Sequence, residues 1–169
     1  MELKEVLLKR RSVRKYTEEA VSKEDIMELL HAAMSGPSAC NKRPWDFYVI
    51  TNAEKLEALR GASMFTKMKA PLAMVVCGNL EKALPMKMAD YWIQDCSAAT
   101  ENILLRATDL GLGAVWCGIY PQKRAEKKVK EILELNEKQI PLNLIFLGHP
   151  AECLESRDQY EEECVHFFE

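Results

Sequence analysis

Leu3, Val6 and Leu7 recur at the spacing of one helical face, so the first nine residues predict a short helix over 2–9. Ile26, Leu29, Leu30 and Ala33 repeat that spacing in a second helix. Ser22 opens it as an N-cap, Asp25 adds a favourable charge to its first turn, and Gly36-Pro37 closes it. Compact apolar runs at 45–50 and 72–77 predict strands, with a helical stretch over 53–60 between them. Ala70-Pro71 marks the entry to the second strand, because proline fits poorly inside a central one.

The longest periodic segment covers 90–110 and sets Ile93, Cys96, Ile103, Ala107 and Leu110 along one stripe. Asp95, Asn102, Arg106 and Asp109 form a polar stripe beside it, while Ala98, Ala99, Leu104 and Leu105 widen the apolar share. That width predicts a central helix buried on more than one side, as a helix shared with a second subunit would be. Gly111 stops it, 114–119 reads as a strand, Pro121 opens a charged helix through 135, and 142–147 is the last strand. The tail from Pro150 onward has no partner in this pattern, yet Val165, Phe167 and Phe168 need cover. An arm laid over a second copy would supply it, and the acidic run Glu161-Glu162-Glu163 also suits a disordered end.

Composition narrows the function classes. A chain of 169 residues that is 48% hydrophobic suits a single domain over 1–169. The net charge of -3 opposes a general nucleic-acid binder, and the apolar runs are too short to span a bilayer, so neither nucleic acid nor membrane is an expected partner. The charged N-terminus has no apolar core or cleavage site of a leader. Six cysteines without a Cys-x-x-Cys pair, scattered through regular elements, read as reduced thiols of a cytoplasmic protein. His31, His149 and His166 lie far apart, so no metal site is expected.

Against that acidic background, Arg10-Arg11-Ser12-Val13-Arg14 concentrates guanidinium groups and a hydroxyl where the first helix breaks off. Such forks bind phosphate through paired hydrogen bonds, although the run alone also reads as a solvated basic face. Residues 37–47 form a polar, proline-punctuated loop that can offer Ser38 and Asn41 to a flat heterocycle, or serve only as a helix-to-strand turn. Gly113-Ala114-Val115-Trp116-Cys117-Gly118-Ile119 can bring main-chain amides against a ring, with Gly118 permitting close approach, or be simply a buried strand. Cys117 has no nearby histidine and reads as an inert thiol. Phe65, Tyr91, Trp92 and Tyr120 read as core or interface aromatics that could also border a substrate.

In order and spacing, the arginine run, Pro37-Ser38-Ala39-Cys40-Asn41-Lys42-Arg43-Pro44-Trp45, Gly111-Leu112-Gly113 with Trp116-Cys117-Gly118, and Arg157-Asp158-Gln159-Tyr160 with Val165-His166 together resemble the FMN-dependent nitroreductase family. The resemblance spans essentially the whole chain. It implies an α+β fold with a mostly antiparallel central sheet flanked by helices, and a homodimer that exchanges C-terminal arms around two interfacial FMN sites. It implies further that Arg10, Arg11, Ser12, Arg14 and Arg157 hold the phosphate, ribityl chain and pyrimidine edge of FMN. Pro37, Ser38, Ala39 and Asn41 of the second subunit would line the ring, along which Trp116, Cys117 and Gly118 would lie.

The implied activity is hydride transfer from NADH or NADPH through flavin N5 to a nitroaromatic, quinone or similar acceptor in a ping-pong cycle, with no catalytic side chain required. Other chemistries on the same fold (azoline dehydrogenation, dehalogenation, flavin fragmentation) and FMN binding without turnover are the alternatives. Two departures stand out. Gln159 occupies a position where many members carry a second basic residue, and the dozen residues after Cys77 leave room for only a small lid.

Overall fold

Alternation within the apolar runs decides the architecture. In the computed structural model, which describes residues 1–169, the helices are α1 (Leu3–Lys9), α2 (Lys23–Met34), α3 (Ala53–Arg60), α4 (Tyr91–Asp109) and α5 (Lys123–Leu133). The strands are β1 (Trp45–Ile50), β2 (Leu72–Asn79), β3 (Gly113–Gly118) and β4 (Gln139–Gly148). They form one antiparallel sheet in the order β1-β2-β4-β3, which leaves β1 and β3 as its edges. Helices cover both faces, so the fold is α+β, as the resemblance implied.

Successive strand residues point to opposite faces, and here each face has its own core. Leu72, Met74 and Val76 of β2 with Ile145 and Leu147 of β4 pack against α2 and α4. Ala73, Val75 and Cys77 with Leu144 and Phe146 pack against α3 and α5. Burial on both sides is why these strands read as unbroken apolar runs rather than alternating ones. The central helix α4 carries Trp92, Cys96, Ala99, Ile103 and Ala107 in the first core. Its polar stripe ties it to α2: Asn102 Nδ2 donates to the Ala32 carbonyl at 3.0 Å, and Arg106 Nη2 donates to Glu28 at 2.8 Å. Gly111, at φ 76°, then releases the chain from the helix, a conformation glycine adopts at no steric cost.

Several boundaries differ from the sequence expectation: β2 runs on to Asn79, β3 covers Gly113–Gly118, and the larger shifts are in β4 and α5. Strand β4 begins at Gln139 and runs through Pro141, three residues before the expected start. Pro141 sits where the β2–β4 register shifts between Val76 and Cys77, a bulge at which a missing N–H is tolerated. Helix α5 begins at Lys123, with Gln122 rather than Pro121 before it, and ends at Leu133 because Glu134 turns left-handed at φ 55°. Between β2 and α4 the chain forms only a turn and the short 3-10 segment Met86–Met88, so this connection is as short as expected. No helix is long and apolar enough to cross a membrane.

All six cysteines are free, with Cys77, Cys96 and Cys117 buried and Cys40, Cys153 and Cys164 exposed. Burial pushes the Cys117 thiol up to about 11, and pushes Cys77 and Cys96 up more strongly. At neutral pH a chromogenic disulfide reagent is therefore expected to titrate three thiols in the native protein and all six after unfolding. The same burial sets a pH dependence. From the ordinary thiol value of 9.0 up to about 11, the unfolded chain has released protons that folded Cys117 retains, so stability falls as pH rises through that window. A urea midpoint that held constant across it would contradict this account.

Candidate functional site

Helix α1 ends because Arg10 leaves helical geometry, at φ -59° and ψ 117°, and the next residues run extended along the free edge of β3. Val13 donates to the Ala114 carbonyl at 3.0 Å, and Ser12 forms a parallel bridge with Ala114. Gly113 makes this approach possible, since a Cβ there would lie 2.6 Å from Val13 Cγ1. The far end of the chain then returns. Tyr16 bridges to Pro150, Ala151 donates to the Lys15 carbonyl at 2.9 Å, and Arg157 donates to the Leu8 carbonyl at 2.9 Å. Residues 150–157 thus pack on the N-terminal segment, although periodicity alone left the whole tail unpartnered.

The two ends enclose a recess of about 490 Å³ lined by Arg10, Arg11, Ser12, Arg14, Lys15, Glu152, Leu154, Arg157 and Gln159. The expected clamp residues from both termini are therefore gathered in one place, and the departure Gln159 lies among them. The guanidinium groups are engaged differently. Arg10 Nε lies 3.7 Å from Glu101, whose carboxyl burial holds above its ordinary range while Arg10 opposes the shift. Arg11 Nη1 donates to the Glu155 carbonyl at 2.5 Å, and Arg14 Nη1 to the Ser12 carbonyl at 3.1 Å. Lys15 and Arg157 bond to protein only through their main chains.

Lys15, Glu152 and Leu154 are the lining residues that sequence reasoning missed. Glu152 Oε1 accepts from the main-chain amides of Arg14 at 2.8 Å and Lys15 at 3.3 Å, so the one carboxylate of the recess is tied to backbone. Only the run of charge at Arg14-Lys15 hinted at Lys15, and nothing near Glu152 distinguished it from other exposed acids.

Along β3, pleating separates the expected ring-contacting residues. Trp116 faces the α4 side, whereas Cys117 points into the opposite core with its thiol 3.3 Å from the Phe65 carbonyl. Cys117 therefore offers only main chain toward the α4 side. A Cβ on Gly118 would meet nothing within 4 Å, so the chain itself leaves open space there. Tyr120 stands edge-on to Trp92 with ring centroids 5.2 Å apart, and Lys123 Nζ lies 5.6 Å from the Tyr120 centroid. Trp92 is core as expected, while Phe65 and Tyr91 are exposed on this chain.

The loop bearing Pro37, Ser38, Ala39 and Asn41 does not line this recess in the single chain. Cys40, Asn41 and Arg43 all adopt positive φ, at 50°, 52° and 48°. Side chains hold this uncommon geometry. Ala39 donates to Asp95 Oδ1 at 2.8 Å, and Ser38 Oγ accepts from Arg43 N–H at 2.9 Å. Asp95, read as part of a polar stripe on α4, is buried at 6% exposure beneath the loop.

With this geometry established, three comparisons bear on the chain. The sequence pattern of the "Nitroreductase family" matches residues 7–67 and 62–149. A protein of Methanothermobacter thermautotrophicus named "Putative NADH dehydrogenase/NAD(P)H nitroreductase" is 41% identical, over 98% of this chain and 86% of that protein. The crystal structure of a protein of the same name from Parabacteroides distasonis superposes with a TM-score of 0.93 at 36% identity, covering 99% of this chain and 98% of that one. A protein of Desulfovibrio desulfuricans described as "a putative nitroreductase in complex with fmn" superposes with a TM-score of 0.84 at 27% identity, covering 100% of this chain and 98% of that one. The family pattern, the sequence identity and the fold thus agree over most of the chain, and the chain belongs to the nitroreductase family.

Proposed function

We propose that the protein is an FMN-dependent oxidoreductase that passes reducing equivalents from NADH or NADPH to electron-poor acceptors such as nitroaromatics and quinones. The observation that carries this reading is the position of the basic recess. It lies on the free edge of β3 at Ala114, four residues before the open face of Gly118, or about 13 Å at ~3.3 Å per residue. An anion pocket and a cradle without a side chain, joined by one strand, suit a ligand with a phosphate at one end and a flat ring at the other.

The residues fit the cofactor. Arg10, Ser12, Arg14 and Arg157 would hold the phosphate, ribityl chain and pyrimidine edge, and the main chain of Trp116, Cys117 and Gly118 would meet the ring. When bound, FMN supplies the redox chemistry, accepting hydride from the nicotinamide and delivering it to the second substrate in two half-reactions. The protein binds, orients and biases charge. Arg14 spends one donor on the Ser12 carbonyl, so its positive charge is available where reduction adds electron density to the pyrimidine.

The active unit in this proposal is a homodimer. Pro37, Ser38, Ala39 and Asn41 sit outside the recess of their own chain, as residues serving the second subunit's flavin would. Exposure of Tyr160 at 71%, Phe167 at 82% and Phe168 at 97% leaves an apolar arm that a second copy would cover by exchange. The test is a visible spectrum of the FMN-saturated protein, taken anaerobically before and after NADH or NADPH. The flavin band should bleach with one nucleotide and return on adding a quinone or nitroaromatic. Binding without bleaching would favour another chemistry or FMN storage, and failure to bind would reject the reading. Light scattering on a chain ending at Gln159 should show loss of the dimer together with weakened FMN retention.

A further inference from the structure

We infer that Arg11 and Glu152 are positioning residues: they strap segment 150–157 across the N-terminal clamp and thereby deliver Arg157 to the anion, Arg11 itself not being the ligand. The anion's identity as the FMN phosphate rests on the proposed function; the strap does not. Segment 150–157 has no regular structure beyond the single bridge at Pro150, and residues 153–157 are exposed, so apolar burial does little to order it. Its order comes from a short series of bonds to residues 8–16.

Those bonds are spaced along the segment. At its start, Ala151 donates to the Lys15 carbonyl. One residue later the Glu152 carboxylate takes two consecutive amides, of Arg14 and Lys15, which fixes the direction in which the segment leaves. Three residues further, the Arg11 guanidinium grips the Glu155 carbonyl at 2.5 Å, across 144 positions of sequence. A charge-assisted bond to a carbonyl is among the stronger single bonds available to an exposed loop. It lies two residues before Arg157, whose own amide is held by the Leu8 carbonyl.

Arg11 is thus committed to the strap, and Arg157 reaches the recess with its guanidinium free. This division also bears on Gln159, which supplies no charge. Arg11 is already engaged and cannot fully replace a missing cation, whereas Lys15 lines the same recess with its ammonium unpaired.

The test is a double-mutant cycle on the full-length protein, reading FMN affinity by flavin fluorescence for Arg11→Ala, Arg157→Ala and the double variant. Each single change should weaken FMN roughly ten- to a hundredfold, the value of a hydrogen bond to a charged group. The double variant should be no weaker than Arg157→Ala, because Arg11 acts through Arg157. Riboflavin, which lacks the phosphate, should bind all three alike. Multiplying losses in the double variant would make Arg11 an independent ligand and overturn the inference.

A second measurement needs no cofactor. Trypsin should cut the apo-protein after Arg157 faster in Arg11→Ala and in Glu152→Ala, which removes the acceptor of both amides, than in the unaltered chain, with melting temperatures confirming that the fold persists. Equal cleavage rates would overturn the strap. If the unaltered protein bound no FMN, the function proposal would fail while the trypsin comparison still decided the strap.

Discussion

Gly118→Val is expected to abolish FMN retention during purification while leaving the melting temperature of the apo-protein within error of the unaltered chain. The separation follows from where a side chain at this position would go. Its Cβ meets no atom of the chain within 4 Å, and its backbone is not in the left-handed region, so the folded apo-protein accepts the branch without strain. Valine is also at home in a strand. The added volume falls instead on the α4 side of β3, where the flavin ring is proposed to lie against main chain.

Forcing extra methyl groups into a packed contact costs about 1–3 kcal/mol, hence roughly ten- to a hundredfold in affinity, and more where the opposing surface is a rigid ring. The measurement is a pair of titrations, FMN fluorescence and apo-protein thermal unfolding. Unchanged FMN affinity would place the ring elsewhere and remove Gly118 from the site. Loss of affinity together with a large fall in melting temperature would show that an unseen contact, not the cofactor, occupies that space.

How far the sequence disclosed this arrangement depends on the kind of signal. Helix α4 was legible because Ile103 and Ala107 carry a period set by one element alone, and β2 because Leu72 to Cys77 is an unbroken apolar run. Strand β4 was legible only from Leu142, because Pro141 reads as a terminator until its bulge partner on β2 is known. Asn143 hid inside an apolar run for a similar reason. It is fully buried, and its amide donates to Thr100 Oγ1 at 2.8 Å on α4, a partner 43 residues away. The loop at 39–43 was the least legible, since Cys40, Asn41 and Arg43 take positive φ without a glycine among them. Asp95 and Ser38 hold them there, and such support is tertiary.

The site divides along the same line. Arginines and a serine clustered in sequence announced the basic recess, and the ordered set of motifs extended the reading to Arg157. Neither signal separated ligands from supports. That distinction needed the Glu155 carbonyl, because a guanidinium already engaged and one left free look identical in a sequence. The side on which Cys117 lies was fixed by pleating, yet it became visible only once the register with Leu144 was known.

At the other end of β3 the expectation is opposite in kind: Gly113→Ala should destabilise the apo-protein and weaken FMN together. Here the missing side chain is already replaced by a neighbour. A Cβ on Gly113 would stand 2.6 Å from Val13 Cγ1 and 2.8 Å from Val13 Cβ, and the second of these cannot swing away by a rotamer change. Relief requires the extended segment carrying Val13 to withdraw from β3, which strains its bond from Val13 N–H to the Ala114 carbonyl and displaces Ser12 and Arg14 on either side. Overpacking of this kind costs about 1–3 kcal/mol, and the displaced clamp should lose affinity for the phosphate by a similar factor. Trimming the opposing residue provides the decisive comparison. Val13→Ala removes Cγ1 and Cγ2 but not Cβ, so the double variant should recover part of both losses, whereas Val13→Gly should recover nearly all of the affinity at the cost of some stability. Affinity that stayed low while stability returned would mean that Gly113 serves the phosphate site directly, and not through the position of the arginine segment.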